Sequence, residues 1–230
     1  MKTIGVIGGI GPQATMDFEW RLHAEAQRTV PQSANSGYPP MVVYYLREIP
    51  VAVDENLTPL QPMRPSPRLF EVAAQVGALS DFIVVTSNAP HSFEGELEKA
   101  AGKPLLSMVG LAIEAALARS WKRVGVLGMG SPTVYTDRLS KLDLPCETPS
   151  ASIQGRLDRA IIAVLEGRAD GDSASAAGEA VYELMGRGAE GVILGCTEIP
   201  MLLGPAGDTP TFINPIQLLA EAAMRMALEE

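Results

Sequence analysis

The chain has 230 residues, of which 47% are hydrophobic and 20% charged, and its net charge is −9. That is enough apolar material to bury the core of one large α/β domain or of two smaller ones. The negative charge, with no Lys/Arg stripe to offset it, argues against nucleic acid as a partner. Two cysteines, Cys146 and Cys196, are too few for a disulfide scaffold. No charged-then-apolar leader precedes the first strand, and no apolar run reaches the roughly 20 residues that span a bilayer. With two histidines and no Cys-x-x-Cys, structural zinc is not expected. These features describe a cytoplasmic, reduced protein without a membrane segment or a metal.

In chain order, Thr3–Ile7 reads as a buried strand, 14–28 as an amphipathic helix, 30–40 as a loop, and Met41–Leu46 as a second strand. Another Pro- and Ser-rich loop over 57–67 leads to a helix over 68–79 and a strand over Phe82–Thr86. Helices over 111–119, 153–165, 173–186 and 216–228 alternate with strands Val124–Leu127 and Val192–Leu194. Strand alternating with helix gives βαβ units. The fold class is therefore α/β, with two similar domains related by pseudo-two-fold symmetry, each a mainly parallel sheet flanked by helices. Residues 1–105 with 208–230 form the first expected domain and 106–207 the second.

The two-domain reading rests on an internal repeat. Lys2-Thr3-Ile4-Gly5-Val6-Ile7-Gly8-Gly9-Ile10-Gly11-Pro12 returns as Lys122-Arg123-Val124-Gly125-Val126-Leu127-Gly128-Met129-Gly130-Ser131-Pro132. Asp81-Phe82-Ile83-Val84-Val85-Thr86-Ser87-Asn88 likewise matches Glu190-Gly191-Val192-Ile193-Leu194-Gly195-Cys196-Thr197. Each half thus ends an apolar strand on a small nucleophilic side chain, Ser87 in one and Cys196 in the other.

Ligands of parallel sheets bind beyond the carboxyl ends of the strands, where backbone N–H groups are open. Gly9-x-Gly11-x-x-Ala14 also has the form of a dinucleotide fingerprint, but the second strand ends near Leu46, well beyond the roughly 20 positions at which that motif wants an acidic residue. A lone cysteine is commonly a small buried hydrophobe. At a strand end before a helix N-terminus, however, its thiolate would be favoured by backbone N–H groups. Ser87 reads either as a helix cap or turn former or as a reactive hydroxyl. His91, four residues on, is at a spacing that would allow a Ser–His pair or a purely structural role. Cys146 has no comparable setting.

Gly8-Gly9-Ile10-Gly11-Pro12-Gln13-Ala14-Thr15, Ser87-Asn88-Ala89-Pro90-His91 and Gly195-Cys196-Thr197-Glu198 resemble the three signatures of the aspartate/glutamate racemase family, over essentially the whole chain. The resemblance implies two α/β domains closing over a small dicarboxylic amino acid or related carboxylic acid, no cofactor, and a homodimer. It implies that L and D forms interconvert by proton removal and return at the α-carbon. Inversion needs one acid/base group on each face of that carbon. By resemblance these groups are Cys196 and Ser87. Asn88 and Thr197 would hold the α-carboxylate, with Gly9, Ile10, Gly11, Ala89 and Glu198 completing the substrate contacts.

The chain departs from the family pattern at several positions. Ser87 stands where the family has cysteine and Ala89 where it has threonine. A family arginine falls near Ala52 and a family lysine near Asp158, with Arg47, Arg156 or Arg159 as possible replacements. Two other readings stay open: a decarboxylase or isomerase that uses a single cysteine, and a non-catalytic protein that binds small acids.

Overall fold

The computed structural model describes residues 1–34, 36–55 and 57–229. Asn35, in the first expected loop, Asn56, and Glu230, the end of the expected first domain, lie outside the described residues. The chain forms two compact units, Met1–Ala52 with Gln61–Met108 and Ile216–Glu230, and Val53–Leu60 with Val109–Pro215.

In the first unit, β1 (Ile4–Gly8) is buried at every position because it is the central strand. α1 (Pro12–Thr29) starts on a proline, whose ring presets the helical φ and whose missing N–H costs nothing in a first turn. It buries Ala14, Thr15, Phe18, Leu22 and Ala26, one face at helical spacing. β2 (Met41–Tyr45), α2 (Pro67–Gly77) and β3 (Phe82–Val85) follow, and the strands form a parallel sheet in the order β2-β1-β3. After a 3₁₀ turn over Ala89–Phe93 comes α3 (Glu94–Ala101), stopped by Gly102 at φ +62. One part of the core gathers Ile7, Leu46, Leu69, Val72, Val76, Ile83, Val85 and Leu97.

The second unit takes α4 (Met108–Ala118) from Val109 on, its first residue Met108 staying with the first unit, and then β4 (Val124–Leu127), α5 (Thr133–Lys141), β5 (Cys146–Glu147), α6 (Ala151–Leu165) and α7 (Gly171–Gly186). β6 (Gly191–Leu194), α8 (Ile199–Leu203) and β7 (Phe212–Ile213) complete it. Its sheet, also parallel, runs β5-β4-β6-β7. Asp170 caps α7, accepting from the Ser173 N–H at 3.0 Å. α6 and α7 pack Leu157, Ile161, Ala177, Ala180 and Leu184 into one core with Leu127, Val192 and Leu194. α9 (Pro215–Leu228) then returns to the first unit.

The division between units differs from the one drawn at 105/106 and 207/208. The linker at Pro104–Leu106 stays with the first sheet because the Ile83 N–H donates to Pro104 at 2.9 Å and the Leu106 N–H donates to Ile83 at 3.0 Å. Phe212–Ile213 stays with the second, paired to β6 and held by Arg119, which donates to the carbonyls of Pro210 at 2.7 Å and Phe212 at 2.9 Å. Val53–Leu60 joins the second unit as a small turn in which the Asp54 N–H donates to Thr58 at 2.9 Å.

The expected strands and long helices all form, with ends displaced by a few residues. The helix expected after Cys196 is α8, whereas α3, α5, β5 and β7 were not expected, being short or, in α5, mixing β-branched and aromatic residues that signal strand as readily as helix. Among the described residues no helix is long and apolar enough to cross a membrane, and no group of three or more His, Cys, Asp or Glu is placed to hold a metal.

Gly77 closes α2 directly against the backbone of Ala101 on α3, where any Cβ would overlap the carbonyl oxygen. Gly77→Ala should therefore lower stability by about 1–3 kcal/mol in urea unfolding, since the obstacle is backbone and not a movable side chain.

Candidate active site

In the first unit the ends of β1 and β3 are tied together by two buried threonines. Thr15 Oγ1 accepts from the Gly9 N–H at 2.8 Å and lies 2.9 Å from Thr86 Oγ1. Both residues are fully buried, so the pair fixes the Gly9–Gly11 turn relative to the strand that delivers Ser87. Gly9 has φ +78, and a Cβ there would stand 2.8 Å from the Tyr45 Cα, so glycine is required twice over. Gly11 is the N-cap of α1 and has no side-chain cap, which leaves the first-turn N–H groups without that partner.

Ser87 is half-buried just past β3, Asn88 is buried at the N-cap of the 3₁₀ turn, and Ala89 begins that turn. His91 is fully buried, and both of its ring nitrogens have backbone partners. Its Nδ1–H donates to the Ser87 carbonyl at 2.9 Å, and its Nε2 accepts from the Met108 N–H at 3.2 Å. That tautomer is the one that satisfies both partners. The Ser–His pair weighed from the spacing is thus replaced by a histidine that pins the backbone under Ser87 to the start of α4.

The second unit presents Cys196 and Thr197 in the turn between β6 and α8, with Glu198 as the α8 N-cap. Thr197 and Glu198 are buried and Cys196 is half-buried. The Cys196 thiol donates to Glu198 Oε2 at 3.0 Å, and the Thr197 hydroxyl donates to the same oxygen at 3.2 Å. Burial, with the Glu198 carboxylate next, pushes the Cys196 thiol well above its ordinary range. Burial likewise raises Glu198, partly offset by the hydrogen bonds it accepts.

This corrects the expected thiolate. α8 has five residues, and a helix terminus contributes only about 0.3–1 kcal/mol, whereas burial can move a pKa by several units. Burial and the adjacent carboxylate win, and the resting group is a thiol.

Asp158, on α6, accepts from the Gly130 N–H at 2.8 Å and from Gln154 Nε2 at 2.7 Å, so the residue near which the resemblance would place a lysine braces the Gly128–Ser131 turn. The methyl of Thr58 covers Gly130. Of the possible replacement cations, Arg156 pairs with Glu179 on α7, and Arg47 lies over the Tyr45 ring at 5.1 Å. Cys146 sits in β5, where burial and then Glu147 raise its thiol. Thr86 and the bracing role of Asp158 were not read from the sequence; the Thr15 spacing after Gly9 was visible, but nothing local marked its partner.

Chemically, each unit offers one protic group at the carboxyl end of a buried strand, beside a glycine turn with backbone donors. The thiol has a carboxylate in hydrogen-bonding contact, a geometry across which a proton can pass between Sγ and Oε2.

Residues 7–223 match the Asp/Glu/Hydantoin racemase family. The fold is similar to that of Picrophilus torridus aspartate racemase, with a TM-score of 0.76 and 21% identity over 99% of this chain and 94% of that one. It is also similar to an aspartate racemase homologue from Pyrococcus horikoshii OT3, with a TM-score of 0.74 and 21% identity over 100% of both chains. Glutamate racemase from Francisella tularensis in complex with D-glutamate aligns with a TM-score of 0.61 and 14% identity over 98% of this chain and 80% of that one. With strand-end turns, paired sheets and a match spanning nearly its full length, the chain belongs to the Asp/Glu/Hydantoin racemase family.

Proposed function

We propose that the chain is an isomerase, a cofactor-independent amino-acid racemase of the aspartate/glutamate type in which Cys196 and Ser87 move the α-proton. The observation that carries this reading is the contact of the Cys196 thiol with Glu198 Oε2 at 3.0 Å. Passing the thiol proton to Glu198 creates a thiolate and a carboxylic acid without changing the net charge of the pair. The thiolate then takes the substrate α-proton, and the Ser87 hydroxyl returns one to the carbanion; the alkoxide left on Ser87 is reprotonated from solvent as Glu198 gives its proton up to solvent, which restores the resting state. In the reverse direction the Cys196 thiol is the donor.

The backbone donors at Ile10 and Gly11, in a turn that Gly9 shapes while its own N–H is held by Thr15, act with Asn88, Ala89 and Thr197 to hold the carboxylate on which the developing charge spreads. A serine hydroxyl is a far weaker acid than a thiol, whose ordinary pKa is about 8.5. The two directions are therefore unequal. Ala52 and Asp158 bring no cation to the positions where the resemblance has arginine and lysine, so the substrate is a small dicarboxylic amino acid or a related acid with a less demanding distal group. The working form is a cytoplasmic homodimer.

A second reading, one-sided protonation as in a single-cysteine decarboxylase or isomerase, is favoured by the neutral thiol. Incubation of L- and D-amino acids in deuterated water separates the two: exchange at the α-carbon with inversion is expected of the racemase, exchange without inversion of the one-sided enzyme. Cys196→Ala should reduce exchange by at least about 100-fold, the lower end of what a positioned acid/base group supplies. Unchanged turnover in a folded variant would sink the assignment. Ser87→Cys should raise the racemisation rate by restoring a second thiol.

Glu198→Gln should lower the pH at which the Cys196 thiolate absorbs in the ultraviolet, measured as the difference from Cys196→Ala, because the adjacent negative charge is gone while burial remains. The same variant tests stability linkage. A carboxyl raised by burial favours the fold fully below its unfolded pKa, and that contribution is lost as pH rises through the folded value. The stability of Glu198→Gln relative to the parent should thus be greater above neutrality than at about pH 4.

A further inference from the structure

β2 is an edge strand with one unused side. The Ile4 N–H donates to Pro40 at 2.9 Å and the Leu46 N–H donates to Gly8 at 2.8 Å. With the register running from Ile4↔Met41 to Gly8↔Tyr45, the residues that turn their backbone toward β1 are Val42 and Tyr44. Met41, Val43 and Tyr45 turn their N–H and C=O groups the other way, and among the described residues no backbone hydrogen bond reaches them. The strand Met41-Val42-Val43-Tyr44-Tyr45 has no charge and no proline, the usual guards of an open edge, and each of its residues is half-buried.

The helix beside this edge is also unfinished. Glu19 of α1 accepts from the Tyr45 hydroxyl at 3.3 Å, and His23 meets the Tyr38 ring edge-on at 5.3 Å, so that side of α1 faces β2. Met16 lies about 60° around the helix from Glu19, and Trp20 about 40° beyond Met16. They are 54% and 68% exposed, one apolar strip next to the open strand.

We propose that β2 pairs antiparallel with β2 of a second copy of this chain about a two-fold axis at Val43, joining two three-stranded sheets into one of six strands; this rests on the homodimer reading above. Under that symmetry Val43 faces the partner's Val43 and Met41 faces the partner's Tyr45. All three pairs then have outward-turned backbone on both strands, and each exchanges two N–H···O=C bonds. A two-fold axis normal to the sheet also sets the two α1 helices side by side on one face, covering Met16 and Trp20. The area argument points the same way. A stable interface takes about 800 Å² from each partner, more than a five-residue edge supplies, and an aromatic of this size adds about 150–250 Å². A single extended peptide would satisfy the strand but leave α1 uncovered.

Light scattering after size exclusion and amide hydrogen exchange on the full-length chain test this. The expected result is a dimer in which the amides of Met41, Val43 and Tyr45 are protected, with protection lost on dilution to monomer. Val43→Lys should give a monomer, and Trp20→Glu should weaken dimerisation by at least about tenfold. A dimer with rapid exchange at those three amides, or with affinity unchanged in folded Val43→Lys and Trp20→Glu, overturns the interface and leaves the dimer reading intact. A parent chain that is monomeric at every concentration overturns both. The exchange measurement on the parent decides the matter even where a variant fails to fold, and the α-carbon deuterium test reads the racemase assignment separately.

Discussion

Strands buried on both faces leave no room for polar side chains along their length, and the rest of the molecule follows from that constraint. β1, β3, β4 and β6 have every residue buried, so polar chemistry is displaced to the points where they end. The ends of β1 and β4 are glycine turns, and at Gly9 the backbone comes too close to Tyr45 to accommodate a Cβ. Open N–H groups, a half-buried serine and a half-buried cysteine then share the same rims of their sheets.

Burial also decides what those groups are. Cys196, with Glu198 accepting from it, is held as a thiol and not as the thiolate a helix terminus would favour. His91 is held as a neutral ring by a carbonyl on one nitrogen and an N–H on the other. The two strand ends therefore differ despite the repeat. One has a proton acceptor beside its nucleophile, while the other has a structural histidine that bonds to the serine's backbone. That asymmetry is the basis of the proposed bias in direction, and it sets the buried carboxylate beside the thiol that the proposed reaction would use.

Much of this was legible along the chain. The apolar runs, the Pro-started helices and the returning Gly-rich turns identified both sheets, and the residues Gly8–Thr15, Ser87–His91 and Gly195–Glu198 marked the strand ends and the family. Short elements escaped because the eight or nine residues of α3 and α5 carry too little periodicity, and β5 and β7, with two residues each, carry none. The domain limits shifted for a similar reason: bonds such as Leu106 to Ile83 and Arg119 to Phe212 join positions with no local signal of their pairing.

By itself, then, the sequence determined the alternation of strand and helix, the duplication, and the positions of Ser87 and Cys196 at strand ends, since these depend on local periodicity and turn chemistry. Only the tertiary structure decided that Thr86 braces Thr15, that Asp158 braces Gly130, that His91 bonds to the serine's backbone carbonyl and that the Cys196 thiol keeps its proton. Each of those outcomes depends on distance and burial between groups that folding brings together, and protonation in particular follows from the surroundings of a side chain and not from its place in the chain.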